Sequence, residues 1–195
     1  MKCNALGIIG ILAAISFCLA ASNEQRQSTS GPAASEDGIT IYFAPDGGAQ
    51  EAIISHINSA TQSIDVQCFH FTAEPLAAAL MAAKDRGVNV RVVIDAKAVR
   101  EPACQANAVR RHGIPVYVDA QYHTAHNKIM IFDDSVVLTG SYNYTLDSAQ
   151  RNAENAVFIA DKPKIAAAYV SNFQTHLAHS QLLTADAPAA EKAKD

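Results

Sequence analysis

Residues 126–154, HNKIMIFDDSVVLTGSYNYTLDSAQRNAE, contain two short apolar runs that are separated by two aspartates. The runs are residues 129–132 and residues 136–138, and Asp133 and Asp134 lie between them. Apolar runs of this length, joined by turn-forming residues, are typical of two buried strands in a tight hairpin. The stretch therefore predicts a hairpin with polar residues at its open end.

Those polar residues are of types that can act on a phosphoryl group. Side chains alternate along a strand, so His126 and Lys128 share one face. Ser141 and Asn143 are related in the same way after the second run. An imidazole can attack phosphorus, while ammonium, amide and hydroxyl donors hold the phosphoryl oxygens as negative charge develops. Asp133 lies at odd spacing, which predicts that it faces the other way or lies in the turn.

The pattern HxKxxxxD from His126 to Asp133, followed by GSxN from Gly140 to Asn143, resembles the signature of the phospholipase D superfamily. The chain carries one copy of the signature, which begins with the sequence HNKIMI and is followed downstream by NAEN. In this it is most similar to the small single-motif bacterial endonucleases of the superfamily. The resemblance covers residues 39–183, and it implies a phospholipase D-like catalytic domain over that range.

The resemblance implies a metal-independent phosphodiesterase that hydrolyses DNA or RNA through a phosphohistidine and needs no cofactor. His126 would be the nucleophile, Glu154 would fix its tautomer, and Asp133 would be structural. The phosphate-binding residues would be Lys128, Ser141 and Asn143. Because one motif supplies only one histidine, the resemblance also implies a homodimer whose active site lies at the two-fold interface.

Two other functions stay open at this stage. A phospholipase D or cardiolipin hydrolase acting on phospholipids fits the same motif, and the net charge of −4 is unusual for a nucleic-acid binder. Basic residues do concentrate between residues 84 and 111, which could give a local basic rim. A non-catalytic binding or assembly module of the same fold should show a substituted motif residue, whereas all of them are intact here.

The N-terminus has the pattern of an export signal. Lys2 is followed by a mostly apolar, uncharged run that ends in small residues at Ala20-Ala21-Ser22, which predicts a signal peptide over residues 1–22. We therefore expect an exported protein, periplasmic or secreted. An uncleaved N-terminal membrane anchor is the alternative, because the run is near the lower limit for a membrane span.

The rest of the chain predicts a single α/β domain. Residues 23–38 have the composition of a flexible linker, and residues 184–195 that of a disordered tail. Between them strands and helices alternate, which predicts a mixed, largely parallel sheet with helices on both faces. The predicted strands are residues 39–44, 63–71, 88–95, 114–118 and 156–160. The predicted helices are residues 50–60, 74–83, 100–112 and 163–182.

The remaining cysteines and histidines carry no predicted chemistry. Cys68 and Cys104 could form one disulfide in an exported protein, or Cys68 could be a buried thiol. No Cys or His spacing resembles a zinc site, so the sequence predicts no metal centre. His70 ends a strand near the predicted site, where it shapes the pocket or is a partly buried histidine. The histidines predicted to lie on helix surfaces are His56, His112, His176 and His179.

Overall fold

The computed structural model describes residues 31–186, which form a mixed sheet with helices on both of its faces. The strands of this part of the chain are β1 (Ala34–Glu36), β2 (Ile39–Ala44), β3 (Ser63–Cys68), β4 (Asn89–Asp95), β5 (Val116–Asp119), β6 (Lys128–Phe132), β7 (Val136–Gly140), β8 (Glu154–Ile159) and β9 (Gln181–Leu182). The helices are α1 (Ala49–Ser59), α2 (Glu74–Asp85), α3 (Ala106–Arg111), α4 (Leu146–Gln150) and α5 (Pro163–His179). The mixed α/β fold is confirmed.

The strand order across the sheet is β1-β2-β8-β7-β6-β3-β4-β5-β9. Parallel pairing is confined to β3, β4 and β5. The hairpin of β6 and β7 lies antiparallel to β3, and β8 returns antiparallel to both β7 and β2. The parallel part is therefore smaller than predicted, because strands joined by a tight turn can only pair in the antiparallel direction.

Alternation along the central strands explains why helices cover both sides of the sheet. In β6, Met130 and Phe132 belong to the larger core cluster, which includes buried residues of α1, α2 and α3. Ile129 and Ile131 point the other way and pack with Phe173 of α5. Every residue of β6 is buried. Full burial of one such side chain contributes about 1.5–3 kcal/mol, so this strand fixes the position of the residues at its start.

Part of the segment predicted as a flexible linker, residues 23–38, is a strand. Ala34 of β1 lies opposite Ile41 of β2 in antiparallel register. Asp37 and Gly38 form the turn between them, with φ values of 48° and 78°. Asp-Gly is a strong signal for a two-residue hairpin, and both residue types tolerate positive φ. The linker prediction is wrong for residues 34–38 because composition was weighed above this turn signal.

Several boundary predictions fall on residues that the structure does not describe. The predicted signal peptide, residues 1–22, lies outside the described residues, and so do residues 187–195 of the predicted tail. Residues 184–186 are described, and the carboxylate of Asp186 pairs with Arg110 and Arg111 of α3 at 2.5 and 2.6 Å. Across residues 31–186, no helix combines the length and apolar character needed to cross a membrane.

The helix predicted over residues 100–112 is shorter than expected. Residues Ala98–Arg100 form one 3-10 turn, and α3 begins only at Ala106. Glu101 is extended, with φ −62° and ψ 136°, and Pro102 follows it. The proline ring disfavours helical backbone at the preceding residue, which explains the break. The loop created by this break brings Glu101 to the edge of the sheet where the site residues lie.

Candidate active site

His126 and Lys128 lie together at the start of β6, on either side of the ring of Phe69. The ring centroids of His126 and Phe69 are 5.0 Å apart, and Lys128 Nζ lies 5.6 Å from the Phe69 centroid. Lys128 Nζ also donates to the carbonyl oxygen of His126 at 2.9 Å. The prediction that these two residues share one face is confirmed, and both line a cleft of about 420 Å³.

The imidazole of His126 is exposed and makes no hydrogen bond within residues 31–186. Its pKa is lowered from the ordinary value of 6.5, first by desolvation and then by the positive charges of Lys128 and His70. The charge of Asp95 acts in the opposite direction. A lowered pKa keeps the ring neutral over a wider pH range. A neutral, exposed imidazole with an uncommitted ring nitrogen has the properties of a nucleophile.

Lys128 supplies a positive charge that is largely shielded from water. It is 8% exposed, and burial lowers its pKa, while the charge of Glu154 acts to raise it. An ammonium group in such surroundings interacts with a phosphate more strongly than one in bulk water. The arrangement therefore offers one fixed cation beside one nucleophilic ring.

Glu154 does not contact His126 in this structure. Its carboxylate accepts hydrogen bonds from Ser141 Oγ at 2.5 Å, Asn152 Nδ2 at 3.3 Å and Ser148 Oγ at 3.4 Å. The expectation that Glu154 fixes the tautomer of His126 within the same chain is therefore not met. Strand β8, which begins at Glu154, is separated from β6 by β7, and this separation directs the carboxylate to the residues that follow β7.

The hydroxyl of Ser141 is already used by the fold. It donates its proton to Glu154, and it accepts a hydrogen bond from the backbone N–H of Asn155 at 3.1 Å. A hydroxyl has only one proton to donate. Ser141 therefore cannot donate to a phosphate without giving up Glu154. Its role in phosphate binding stays a prediction, and in this structure it holds Glu154.

Asn143 lies in a second, larger cleft of about 1020 Å³, which we call the polar cleft. The carbonyl oxygen of its side chain is buried and has no hydrogen-bond partner within the described residues. The fold therefore does not hold this side chain through its oxygen. The residues that define the polar cleft are His70, Glu101, Asn107, Arg111, Asn143 and Asn152.

His70 and Glu101 form a pair that the sequence did not predict. Nδ1 of His70 lies 2.6 Å from the Glu101 carboxylate, and each side chain is about one-third exposed, at 33% and 32%. The ring of His70 also packs against Phe69, with centroids 4.0 Å apart, so Phe69 touches both His70 and His126. The Glu101-Pro102 dipeptide is a local signal for the helix boundary at this point, but it does not indicate the contact with His70.

Asp133 has the structural position that was predicted for it. It lies in the turn of the hairpin with φ 51°, and its carboxylate accepts hydrogen bonds from three backbone N–H groups and one hydroxyl. Burial acts to raise its pKa, but these hydrogen bonds lower the pKa overall. The donors belong to Thr61, Gln62 and Ser63, so Asp133 fixes the hairpin to the start of β3.

Among the described residues, one group of side chains could hold a metal ion, and it lies apart from His126. It consists of Asp119 at the end of β5 and of His176 and His179 in the last turn of α5. His176 is buried, contrary to the surface position that was predicted. His56 is half-buried, with its ring 4.1 Å from that of Phe158. Cys68 and Cys104 are both free thiols.

A family model described as cardiolipin synthase, PLD-like domain, matches residues 53–177. Phospholipase D of Rickettsia prowazekii is 32% identical over 152 residues, which is 78% of this chain and 74% of the relative. Mitochondrial cardiolipin hydrolase of Xenopus laevis is 34% identical over 122 residues, 63% of this chain and 58% of the relative.

A solved structure is similar over nearly its whole length. Nuc from Salmonella typhimurium, a phospholipase D family member, superposes with a TM-score of 0.73 at 34% sequence identity. The match covers 75% of this chain and 98% of that chain. NucT from Helicobacter pylori superposes with a TM-score of 0.69 at 20% identity, which is a likeness of fold.

Proposed function

Because the chain belongs to the phospholipase D superfamily, we propose that it is a phosphodiesterase in which His126 attacks phosphorus. The observation that carries this proposal is the exposed, unbonded ring of His126 beside the buried ammonium of Lys128. The lowered pKa of His126 supports it, since only the neutral ring can attack. All motif residues named from the sequence are present, which speaks against a non-catalytic binding or assembly module.

The reaction proceeds in two displacements. A ring nitrogen of His126 forms a bond to phosphorus, the bond to the leaving oxygen breaks, and a phosphohistidine results. Water then attacks phosphorus and releases the histidine. Lys128 and the amide of Asn143 hold the non-bridging oxygens as negative charge develops on them. The ammonium of Lys128 supplies the positive charge that a metal ion would otherwise provide, so the proposed chemistry requires no metal ion or cofactor.

The leaving oxygen needs a proton, and one chain offers one motif histidine. We propose a homodimer in which two His126 side chains face each other across a two-fold axis. One ring attacks phosphorus, and the other protonates the leaving oxygen and then activates water. The exposure of His126 supports this arrangement, because a second chain can reach the ring.

Glu154 keeps a place in the proposed site through Lys128 and Ser141. Its charge acts to raise the pKa of Lys128, which favours the ammonium form. Ser141 orients the carboxylate by its short hydrogen bond of 2.5 Å. We propose that Glu154 keeps Lys128 in its charged form, because desolvation alone would favour the neutral amine.

We propose nucleic acid as the substrate, DNA or RNA. The match to Nuc over 98% of that chain supports this choice, since the two folds share the same compact size. The polar cleft has a volume of about 1020 Å³, and Phe69 packs against both His70, which lines this cleft, and His126, so a bound strand of phosphates has room beside the His126 ring. Contacts with phosphates position the nucleic-acid backbone and give little recognition of the base sequence.

Phospholipid is the second candidate substrate. Relatives with 32% and 34% identity are named phospholipase D and mitochondrial cardiolipin hydrolase. The acidic side chains of Glu74, Glu101 and Asp147 also line the polar cleft, where they disfavour a polyanion.

We propose that the protein is exported, to the periplasm or the medium, as the N-terminal sequence predicts. An anchored protein would instead bring the site near a membrane.

A paired assay in excess chelator tests the proposal. One set of reactions offers single- and double-stranded DNA and RNA, and the other offers vesicles of cardiolipin or phosphatidylcholine. His126→Asn is run beside His123→Asn, a matched control at an exposed histidine of the same loop. We expect nucleic-acid cleavage that His126→Asn loses and His123→Asn keeps. Cleavage of lipid alone would move the protein to the second candidate, and complete loss in chelator that Mg²⁺ restores would contradict both.

A further inference from the structure

A second cluster of chemically active side chains lies at the carboxyl end of β5. Asp119 ends β5, and His176 and His179 lie one helical turn apart near the end of α5. Nδ1 of His176 lies 2.7 Å from Asp119 Oδ2, and Nε2 of His179 lies 3.2 Å from the same oxygen. Two imidazoles therefore converge on one carboxylate oxygen, and the proposed phosphodiesterase chemistry uses none of these three groups.

The geometry is close to that of three ligands around one small cation. All three ligand atoms lie within 4.8 Å of one another. In a tetrahedral zinc site with bonds of about 2.0–2.2 Å, neighbouring ligand atoms are separated by about 3.4 Å. The two measured distances of 2.7 and 3.2 Å are below this value. Small rotations of the side chains would open them enough to admit the ion.

The surroundings have the features of a supported ligand set. Asp119 is fully buried and His176 is 7% exposed, and ionisable groups are rarely buried to this degree unless they are paired or bind a ligand. The second oxygen of Asp119 accepts a hydrogen bond from Gln121 N at 3.0 Å, which orients the carboxylate. The ring of Tyr122 packs at 5.1 Å from His176 and 5.6 Å from His179.

The side chain of His179 is 24% exposed, so one side of the cluster opens to solvent. This opening provides an entry path and room for water as a fourth ligand. Two imidazole nitrogens and one carboxylate oxygen suit Zn²⁺ better than Mg²⁺ or Ca²⁺, which prefer oxygen ligands. The spacing of the two histidines alone could not reveal the set, because Asp119 lies 57 residues before His176.

We propose that Asp119, His176 and His179 bind a divalent transition-metal ion, Zn²⁺ in particular, as a structural clamp. Asp119 precedes the loop of residues 120–127, which carries His126, and Tyr122 of that loop packs on the two histidines. The bound ion would join α5 to the start of this loop. It would stabilise the fold and hold the loop, and it would take no part in the displacement at phosphorus.

Metal binding is tested on the purified chain after chelator treatment and removal of the chelator. ZnCl₂ alone is titrated by calorimetry, and the zinc content is then measured by mass spectrometry after gel filtration. We expect one equivalent of zinc per chain. Saturating zinc should raise the midpoint of thermal unfolding by about 5 °C or more, since an ion that binds only the folded state stabilises it.

The variants are His179→Gln, His176→Gln and, as a matched control, His112→Gln. His112 also pairs with an aspartate, Asp85, at 2.8 Å, but at the surface and without a third ligand. We expect His179→Gln and His176→Gln to lose the bound zinc and the rise in midpoint, and His112→Gln to keep both. Absence of stoichiometric zinc in the unaltered protein, or unchanged binding in both ligand variants, would overturn the proposal.

His179 is partly exposed, so its replacement should leave the fold intact, which circular dichroism checks. If a glutamine variant fails to fold, the site is tested instead by the visible absorption spectrum of the unaltered protein loaded with Co²⁺. The intensity of that spectrum reports whether the metal ion is four-coordinate. Zinc content is read without any turnover, so its absence leaves the proposed function untouched. Conversely, inactive His126→Asn should bind zinc as the unaltered protein does.

Discussion

At the scale of single residues, the account depends on the charges around the His126 ring. Desolvation, and then the positive charges of Lys128 and His70, lower its pKa below 6.5, and the ring stays neutral to lower pH as a result. Neutral His126 is the attacking form, so the acid limb of the pH profile of kcat/KM reports its protonation. We expect this limb to have its midpoint below pH 6.5.

His70→Gln tests this electrostatic coupling. Removal of the positive charge lets His126 hold its proton to higher pH, so the midpoint of the acid limb should rise toward the ordinary value. His112→Gln, a variant of another carboxylate-paired histidine, should leave the profile unchanged. The measurement is kcat/KM against pH, and a limb that stays in place or moves to lower pH in His70→Gln would speak against the coupling.

Asp133→Asn tests the fixation of the hairpin. In this variant the side chain carries an NH₂ donor group in place of one acceptor oxygen, so backbone N–H groups at the start of β3 lose their partners. We expect the free energy of unfolding to fall by about 1–3 kcal/mol. Asp134→Asn, at the adjacent exposed residue with φ 53°, should change it by less than about 0.5 kcal/mol. Denaturant titration measures both, and equal losses would contradict the assigned role.

The same residue gives a pH dependence with a defined sign. The pKa of Asp133 is lowered in the folded state, so its contribution is fully present above the ordinary value of 3.8. The contribution is lost as the pH falls through the lowered folded pKa. The difference in stability between the unaltered protein and Asp133→Asn should therefore shrink on acidification, and a difference that grows would contradict this sign.

At the scale of elements, the contact of α5 with the sheet includes an ion pair at β3 and β4. Arg91 donates two hydrogen bonds to Asp65, at 2.8 and 2.7 Å, and its guanidinium lies 5.1 Å from the ring of Phe173. Asp65 is 1% exposed, and burial raises its pKa despite the bonds from Arg91. The ion pair with Arg91 therefore offsets the cost of burying the charged carboxylate of Asp65 beneath α5.

Arg91→Ala would leave this carboxylate buried without its partner. We expect a loss of about 3–5 kcal/mol at pH 7, and part of it should be recovered in the double variant with Asp65→Ala. The loss should be smaller at acid pH, where Asp65 is protonated. Arg151→Ala breaks an exposed pair with Asp147 and should cost about 0.5 kcal/mol or less. Similar losses for the two arginine variants would contradict the role of Arg91.

Elements with local signals could be predicted from the sequence, whereas contacts between distant strands could not. The hairpin was predicted correctly because alternation and turn residues act locally, and so the shared face of His126 and Lys128 followed. The strand β1 and the break before Pro102 also had local signals, which were outweighed by composition and by helix periodicity. The pairing of Glu154 with Ser141, and of His70 with Glu101, depends on strand order, which no local pattern encodes.

At the scale of the whole molecule, the proposed site is complete only with two copies of His126. Coexpression of differently tagged unaltered and His126→Asn chains in equal amounts tests this. Random pairing would leave about a quarter of the dimers with two intact histidines. We therefore expect about a quarter of the full activity, and a value near one half would show that each chain works alone.

The central claim is that His126 forms a covalent bond to phosphorus. The unaltered protein and His126→Asn are each mixed with a labelled aryl phosphodiester, quenched in alkali and digested, and the peptides are analysed by mass spectrometry. A small diester serves whether the natural substrate is nucleic acid or lipid. The account predicts a phosphoryl adduct on His126 that is absent from His126→Asn. Label on another residue, or unchanged turnover by His126→Asn, would contradict it.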